Sequence, residues 1–354
     1  MKNKTLIIIV IIAATAAALS LGIYQKRTHQ INASLLQIEQ LMYERPDSAW
    51  KILQHMPPIS RLRKEEQALH ALLFTQAQYK NYIPVKSDSL LRIAEAYYRT
   101  SNDSLHKAWT LFYLAQYYRD SDEKEKALSY FQQANIASRN IENNQFKFLL
   151  NLHWAGLLTN EDAYEKGIEK YQTANRYAIL LKDTLKQINL YGKWGWCCLL
   201  KEEDERADSL FNVGLTLSAT TKDRIYDKYL LNRLSLTARE KKDYKRALEL
   251  VNRSLSLAKD STELYPLWNN KGEILLEMNQ YDSAHFYLSK DTRDYDPYFR
   301  VSRYLDWSIY EEKIKNLPKA LEYSKRYAEL LDTIYQERLD SKVANLQHKY
   351  DYSL

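Results

Sequence analysis

The sequence has few of the residues that interrupt regular structure, since only 7 of its 354 residues are glycine and 7 are proline. Sheets joined by tight turns need both residue types, so their scarcity argues against a β-rich fold and is typical of an almost wholly helical chain. The length suffices for two ordinary domains or one long array of repeats. Tyrosine is abundant, with 29 copies, and its bulky ring with a polar tip suits the seams between helices.

Cysteine is nearly absent. The two cysteines, Cys197 and Cys198, are neighbours in the chain. Two adjacent residues of a helix point in different directions and cannot form a disulfide without distorting the backbone. The pair therefore predicts buried thiols and does not decide the redox compartment.

A concentrated basic surface is also missing. The net charge is +6, and residues 1–30 contribute +4 of it, which leaves +2 for the remaining residues. Charges of both signs are interspersed there, whereas a nucleic-acid binder carries a basic patch. We expect no nucleic-acid partner.

Motifs that carry chemistry are absent too. The sequence contains no HExxH, no Cys/His cluster at metal-ligand spacing, no GxSxG and no phosphate-binding loop. The densest acidic run, 202–205, falls in a predicted turn, where a solvated loop is the simplest interpretation. We expect neither an enzyme nor a bound cofactor or metal.

One long apolar run stands at the N-terminus. Leu6 to Tyr24 is 19 residues without a charge, flanked by Lys2 and Lys4 before it and by Lys26 and Arg27 after it. At ~1.5 Å per residue the run reaches about 28 Å, close to the thickness of a bilayer core. It predicts a single-pass membrane anchor, and a cleaved export signal is the alternative because small residues at 16–20 could form a cleavage site. Either way, the body is expected outside the cytoplasm.

A repeat organises the rest of the chain. In EKALSYFQQANIA (125–137), Ala127, Phe131 and Ala134 share one helical face at spacings of four and three. Sliding this small–bulky–small pattern along the chain finds anchors at successive steps of 36–41 residues. The anchors are Ala49, Leu90, Ala127, Gly167, Ala207, Ala247, Ala284 and Ala320.

These units resemble the tetratricopeptide repeat, with small residues at Ala115, Ala155, Gly195 and Gly272 on the first helix and serine at Ser235 and Ser308. The resemblance implies an all-α, right-handed superhelical solenoid of about eight helix-turn-helix repeats, preceded here by one transmembrane helix. One such unit cannot bury its apolar face alone, so each stacks on its neighbours. The domains predicted are an anchor at 1–30, the repeats at 31–330 and a capping or coiled-coil helix at 331–354.

The resemblance also implies a binding groove lined by the first helices. Carried over by spacing, the groove residues are Trp109, Phe112, Gln116, Arg119, Trp196, Tyr229, Asn232, Arg239, Asn269 and Glu273. The Lys/Asn and Lys/Arg clamp of the chaperone-binding members is absent at Phe112/Gln116 and the three matching pairs. A mixed aromatic and polar groove suits a peptide ligand. The alternative is that the aromatic residues are seams between helices.

The C-terminal stretch predicts one further helix with an apolar stripe. Leu331, Tyr335, Leu339, Val343, Leu346 and Tyr350 lie along one face. This helix either caps the last repeat or pairs with a partner helix.

The pattern further resembles bacterial membrane-anchored tetratricopeptide proteins of the envelope sensor type, on LLFTQAQYKNYI (72–83) and QHKYDY (347–352). We expect the chain to lack the output module of those proteins. We therefore predict a non-catalytic peptide- or protein-binding scaffold in the inner membrane, facing the periplasm. The alternatives are a sensor whose transcriptional or kinase output lies in another or a lost module, and, for location, a periplasmic protein released by signal cleavage.

Overall fold

The computed structural model describes residues 30–222, 224–290 and 297–351, and every regular element in these ranges is helical. The prediction of an all-helical chain is thereby confirmed for this part of the sequence. The helices are α1 (30–44), α2 (Pro46–Gln54), α3 (Lys64–Lys80), α4 (Ser89–Tyr98), α5 (Ser104–Asp120), α6 (Lys124–Ala137), α7 (Asn144–Asn160), α8 (Tyr164–Leu181), α9 (Thr184–Leu200), α10 (Asp204–Ala219), α11 (Asp227–Glu240), α12 (Tyr244–Leu257), α13 (Ser261–Glu277), α14 (Tyr281–Leu288), α15 (Pro297–Lys313) and α16 (Leu317–Asp351). A 3₁₀ turn, Ile59–Arg61, precedes α3.

Within the described ranges the helices follow one another as eight pairs, α1 with α2 through α15 with α16. Four of the helices begin at an aspartate whose carboxylate accepts a hydrogen bond from the backbone N–H three residues on. This bond satisfies a donor that the helix itself leaves unpaired. These aspartates are Asp103, Asp183, Asp243 and Asp260. Local sequence thus fixes where α5, α9, α12 and α13 start.

The turn inside seven of the pairs has one construction. The first helix ends with a residue in the left-handed conformation, at φ between 56 and 64°. The next residue donates its N–H back to a carbonyl five positions earlier, for example Glu123 to Tyr118 at 2.8 Å. This is the bond that closes a helix terminus in a Schellman motif. The left-handed turn residues are Tyr82, Asp122, Asp162, Glu202, Lys242, Asn279 and Lys315.

Seven of the eight predicted anchors are buried, and the one at Leu90 is wrong by three positions. The other six left-handed turn residues each stand five positions before an anchor, so Tyr82 places the equivalent position at Ser87. The apolar face of α4 accordingly consists of Leu91, Ala94 and Tyr98, all at most 3% exposed, while Leu90 is only half-buried. The adjacent leucines at 90 and 91 made the register ambiguous in the sequence.

Small residues on the first helices let the paired helix approach closely. A Cβ at Gly195 would lie 2.5 Å from the Phe211 ring, and one at Gly272 would lie 2.6 Å from Leu288. Where serine replaces alanine or glycine, its hydroxyl donates to the backbone carbonyl of the paired anchor. Ser235 bonds Ala247 at 2.9 Å and Ser308 bonds Ala320 at 3.0 Å. The hydroxyl is therefore satisfied without widening the pair.

The chain divides into two compact units, unit 1 ending at His153 and unit 2 beginning at Trp154. Unit 1 contains an apolar cluster around Ile38, Met42 and Leu53, from α1 and α2. Unit 2 contains a cluster in which Tyr310 of α15 joins Leu275 and Ala284. Cys197 and Cys198 of α9 are fully buried free thiols, as expected from their position in a helix.

Both ends of the predicted domain scheme stay predictions. None of the helices in the described ranges is long and apolar enough to cross a membrane, and the segment Leu6–Tyr24 lies outside those ranges. Helix α16 runs without a break through residue 331. Its exposed face carries Leu331 and Tyr335, whereas Ile334 is buried. The described part of the predicted stripe therefore does not cover α15.

Candidate functional site

The ten predicted groove residues fall into two sets with different surroundings. Four belong to α5 in unit 1, and six belong to α9, α11 and α13 in unit 2.

In unit 1, Trp109 and Phe112 are core residues, only 5% and 2% exposed. The Trp109 ring lies 4.7 Å from Phe146, measured between ring centroids, and Phe112 lies 5.5 Å from His153 and 6.1 Å from Phe131. These edge-to-face contacts use both rings for packing. The prediction that these two residues face a ligand is therefore wrong, because aromatic rings of α7 cover this part of α5.

The polar members of the α5 set also have neighbours within unit 1. Gln116 Nε2 lies 3.0 Å from His153 Nδ1, and Arg119 Nη1 lies 3.2 Å from the same nitrogen. Both groups are donors, so His153 Nδ1 must be the unprotonated acceptor. Arg119 further pairs with Asp120 at 2.6 Å. Gln116 is 4% exposed, so α5 presents almost no free polar surface on this face.

In unit 2 the first helices α9, α11, α13 and α15 together line a cavity of about 1170 Å³. Five predicted residues line it, namely Trp196, Asn232, Arg239, Asn269 and Glu273. The others are Leu199, Glu202, Asp204, Arg233, Leu236, Glu240, Thr262, Pro266, Asn270, Tyr298, Phe299 and Ser302. Tyr229 is not among the lining residues, and its ring packs against α9, where a Cβ at Gly192 would lie 2.9 Å away.

Arg239 is neutralised by its neighbours. It forms an ion pair with Glu273, lies 3.3 Å from Glu240 and lies 3.8 Å from Glu277. Glu273 also accepts a hydrogen bond from Asn269. These residues form a polar wall between α11 and α13 in which three carboxylates surround one guanidinium.

Arg233 has a different environment. Its guanidinium carbon lies 3.5 Å from the centre of the Trp196 ring and 5.0 Å from that of Tyr229. Stacking on an aromatic face satisfies the cation electrostatically but leaves its N–H donors available. The Nε atom is buried and has no hydrogen-bond partner, and no described carboxylate forms an ion pair with this side chain.

An amide pair lies beside Arg233. Asn270 is 3% exposed, and its Nδ2 donates to Asn232 Oδ1 at 2.8 Å and to Ser235 Oγ at 3.1 Å. These bonds fix its orientation and leave Asn270 Oδ1 buried without a partner. An unsatisfied buried acceptor costs roughly 1–3 kcal/mol, which a ligand N–H would recover.

The backbone adds a further acceptor. Pro266 stands inside α13 and has no N–H, so the carbonyl of Thr262 receives no hydrogen bond from the residue four positions on. Both residues line the cavity. An acceptor of this kind can bind the N–H of an extended peptide.

The described lining of the cavity contains no cysteine and no histidine. Among the residues that the structure describes, no group of three His, Cys, Asp or Glu side chains could hold a metal ion. Burial raises the pKa of the Cys197 thiol, and it raises that of Cys198 to about 12, which disfavours the nucleophilic thiolate.

Sequence reasoning missed four important members of the site. Arg233 stands four residues after Tyr229, so the two share a helical face, and this spacing could have revealed the stacked pair. Asn270 follows the predicted Asn269 directly, and only the packing shows which of them is buried. Tyr298 and Phe299 come from α15, where no anchor pattern pointed to the cavity.

Comparison with known proteins supports the fold. No family model matches the sequence, and no curated protein is similar to it. Among solved structures, the chain resembles NprR in complex with its cognate peptide NprX, at 15% identity over 91% of this chain and 93% of that one, with a TM-score of 0.66. It resembles a Rap protein complexed with Competence and Sporulation Factor, at 10% identity, 87% and 99% coverage and a TM-score of 0.63.

A tetratricopeptide repeat protein from Parabacteroides merdae is similar at 12% identity over 78% of this chain and 99% of its own, with a TM-score of 0.56. At such identities the likeness concerns the fold alone. This chain folds as tetratricopeptide-like helical repeats.

Proposed function

We propose that the protein is a non-catalytic scaffold that binds a peptide or an extended protein segment in the cavity of unit 2. The observation that carries the proposal is the buried, unpartnered Oδ1 of Asn270, which lines the cavity between α11 and α13. Asn232 beside it has an Nδ2 group that can donate, so the pair offers one acceptor and one donor. Such a pair matches the alternating N–H and C=O groups of an extended backbone.

The aromatic wall supports the same ligand class. Trp196, Tyr298 and Phe299 line the cavity, and the last two are 54% and 39% exposed. Aromatic anchors at the edge of a concave surface concentrate binding energy. Two solved structures that share the fold contain bound partners, NprX described as a peptide and Competence and Sporulation Factor.

In-cell photo-crosslinking tests this proposal. Tyr298 is replaced by a photoreactive phenylalanine analogue, which keeps an aromatic ring at the cavity edge. Tyr82, 96% exposed and in unit 1, carries the same analogue as the control. The proposal expects a specific peptide or protein segment captured from position 298 and not from 82. Equal capture from both positions, or capture that survives Trp196→Ala, would contradict it.

We further propose that residues 6–24 tether the chain to the inner membrane with its body in the periplasm. The support is the uncharged run and its flanking lysines. A phosphatase that folds only outside the cytoplasm, fused after Leu354, should be active in the membrane fraction. The matched control lacks residues 6–24 and should give an inactive fusion. A mature soluble form beginning near Leu19 or Leu21 would instead select a cleaved signal.

A sensory role of the envelope-regulator type is the second candidate, favoured by the exposed face of α16. Leu331 and Tyr335 are 44% and 58% exposed on this helix of 35 residues. The photoreactive analogue at Tyr335 should then capture a protein that carries a DNA-binding or kinase module. Capture at Tyr298 with none at Tyr335 would favour the plain scaffold.

A further inference from the structure

Arg233 differs from the other arginines of unit 2 that contact aromatic rings or carboxylates. Arg206 lies over the Trp194 ring at 5.6 Å and also pairs with Glu203 at 3.1 Å. Arg239, on the same helix as Arg233, is surrounded by three glutamates. Arg233 alone of these three has no carboxylate partner among the described residues, and it faces a cavity.

The position of Arg233 makes an anion the complementary group. Its planar guanidinium presents several N–H donors in a fixed fork, and the Trp196 face at 3.5 Å holds that fork in one orientation. A buried Nε–H without a partner is unfavourable until an acceptor arrives. A carboxylate accepts two parallel hydrogen bonds from such a fork.

We infer that the ligand of the unit 2 cavity presents a single carboxylate to Arg233. This inference rests on the proposed function, and it specifies which peptides the site accepts. The carboxylate is either a peptide C-terminus or the side chain of an aspartate or glutamate. The amide of Asn232, one residue before Arg233, then lies beside the adjoining peptide group.

The rest of the lining excludes a polyanion. Glu202 and Asp204 line the same cavity, and Glu273 and Glu240 already surround Arg239. A second acidic group would meet these carboxylates and be repelled. Leu199, Leu236 and Phe299 supply apolar surface instead. The site therefore suits a peptide with one carboxylate and apolar neighbours, and it does not suit an acidic run or a nucleic acid.

Binding measurements with three synthetic heptapeptide libraries on the immobilised full-length protein test this inference. The first library has free C-termini and no acidic side chains, the second has amidated C-termini and one aspartate or glutamate, and the third is amidated and contains no acid. The wild-type protein should retain the first or the second, which identifies the source of the carboxylate, and should not retain the third. For retained peptides, Arg233→Gln should weaken the affinity about tenfold or more.

Two variants control this measurement. Arg206→Gln removes the other tryptophan-stacked arginine, outside the cavity, and should change affinity by less than about twofold. Arg233→Lys keeps the charge but loses the fork, so it should fall between wild type and Arg233→Gln.

Two further outcomes separate the inference from the proposed function. If the acid-free amidated library binds, is unaffected by Arg233→Gln and is lost in Trp196→Ala, the carboxylate inference is wrong and the peptide cavity stands. If the wild type retains none of the libraries, or retains peptides that cavity variants do not affect, both are wrong.

Discussion

Helices α5 and α11 occupy the same place in their repeats, yet aromatic side chains fill the space beside α5 and a cavity lies beside α11. Phe112 and Asn232 are 120 residues apart, three steps of 40 along the repeat. Phe112 is 2% exposed and packed against aromatic rings of α6 and α7. Asn232 lines a cavity and bonds a neighbouring amide.

The difference teaches that repeat position alone does not decide what faces a ligand. An aromatic residue on a first helix becomes core when the next first helix also supplies rings, as Phe146 and His153 do in unit 1. Where the next helix supplies asparagines and a proline, as α13 does, space remains between the helices.

The largest effect expected from this comparison concerns Phe112→Ala. Removing a buried ring leaves a cavity, so the free energy of unfolding should fall by roughly 3–5 kcal/mol. Chemical denaturation followed by circular dichroism measures it. Phe131→Ala, which removes a fully buried partner ring, should lower the free energy of unfolding by a similar amount. A Phe112→Ala protein of unchanged stability that no longer binds peptide would reverse the assignment of unit 1.

Trp196→Ala should show the opposite pattern. Trp196 is partly exposed and carries Arg233 on its face, so its loss should weaken peptide binding by about 2 kcal/mol or more while shifting Tm by only a few degrees. Trp109→Ala is the matched tryptophan in unit 1, only 5% exposed, and it should lower Tm sharply without changing peptide affinity. Titration calorimetry and thermal melts of both variants check this. Similar profiles for the two tryptophans would remove the contrast between the units.

A smaller effect concerns pH and belongs to unit 1. Burial alone would lower the pKa of His106, but hydrogen bonds to Glu39 at 3.1 Å and to Asp103 at 2.6 Å outweigh it and raise the pKa above 6.5. The charged imidazole therefore adds stability that is fully present below the unfolded pKa of about 6.5 and is lost as pH rises through the folded pKa.

Chemical denaturation of His106→Gln and of the wild type, from pH 5 to 9, measures this contribution to stability. The difference in free energy of unfolding between the two proteins should shrink as pH rises. A difference that stays constant, or grows, would show that the two carboxylates do not stabilise the charged imidazole.

The smallest effect tests what the units have in common. Tyr82 in unit 1 and Lys242 in unit 2 are left-handed turn residues at φ 56 and 60°. Left-handed backbone costs about 1–2 kcal/mol for a residue with a Cβ, and glycine loses roughly 0.5–1 kcal/mol in flexibility, so Tyr82→Gly and Lys242→Gly should each gain roughly 0.5–1 kcal/mol. Denaturant midpoints that rise in one unit and fall in the other would show that the turns are not equivalent.

Much of the fold could be predicted from the sequence, because small and bulky residues at fixed spacing report the seam between paired helices. The error at Leu90 has a physical origin. The turns use Tyr82, Asp122 and Lys242 in the left-handed region, where glycine is the usual signal, so the register had to be inferred from apolar residues alone.

The candidate site could be predicted only in part. The repeat spacing located α9, α11 and α13, and five of the ten predicted groove residues line the cavity. It could not distinguish Phe112 from Asn232, since that depends on which side chains the following helix brings. Nor could it show that Asn270 Oδ1 lacks a partner, because hydrogen-bond satisfaction belongs to the assembled helices.

The buried thiols of α9 have a practical consequence for kinetics. Cys197 and Cys198 are the two cysteines of the sequence, both are fully buried, and they lie on a helix that lines the cavity. A thiol-reactive dye can modify them only when α9 separates from its neighbours, so the labelling rate reports how often this helix opens. A bound peptide that contacts α9 should slow the labelling, and no probe has to be introduced to observe it.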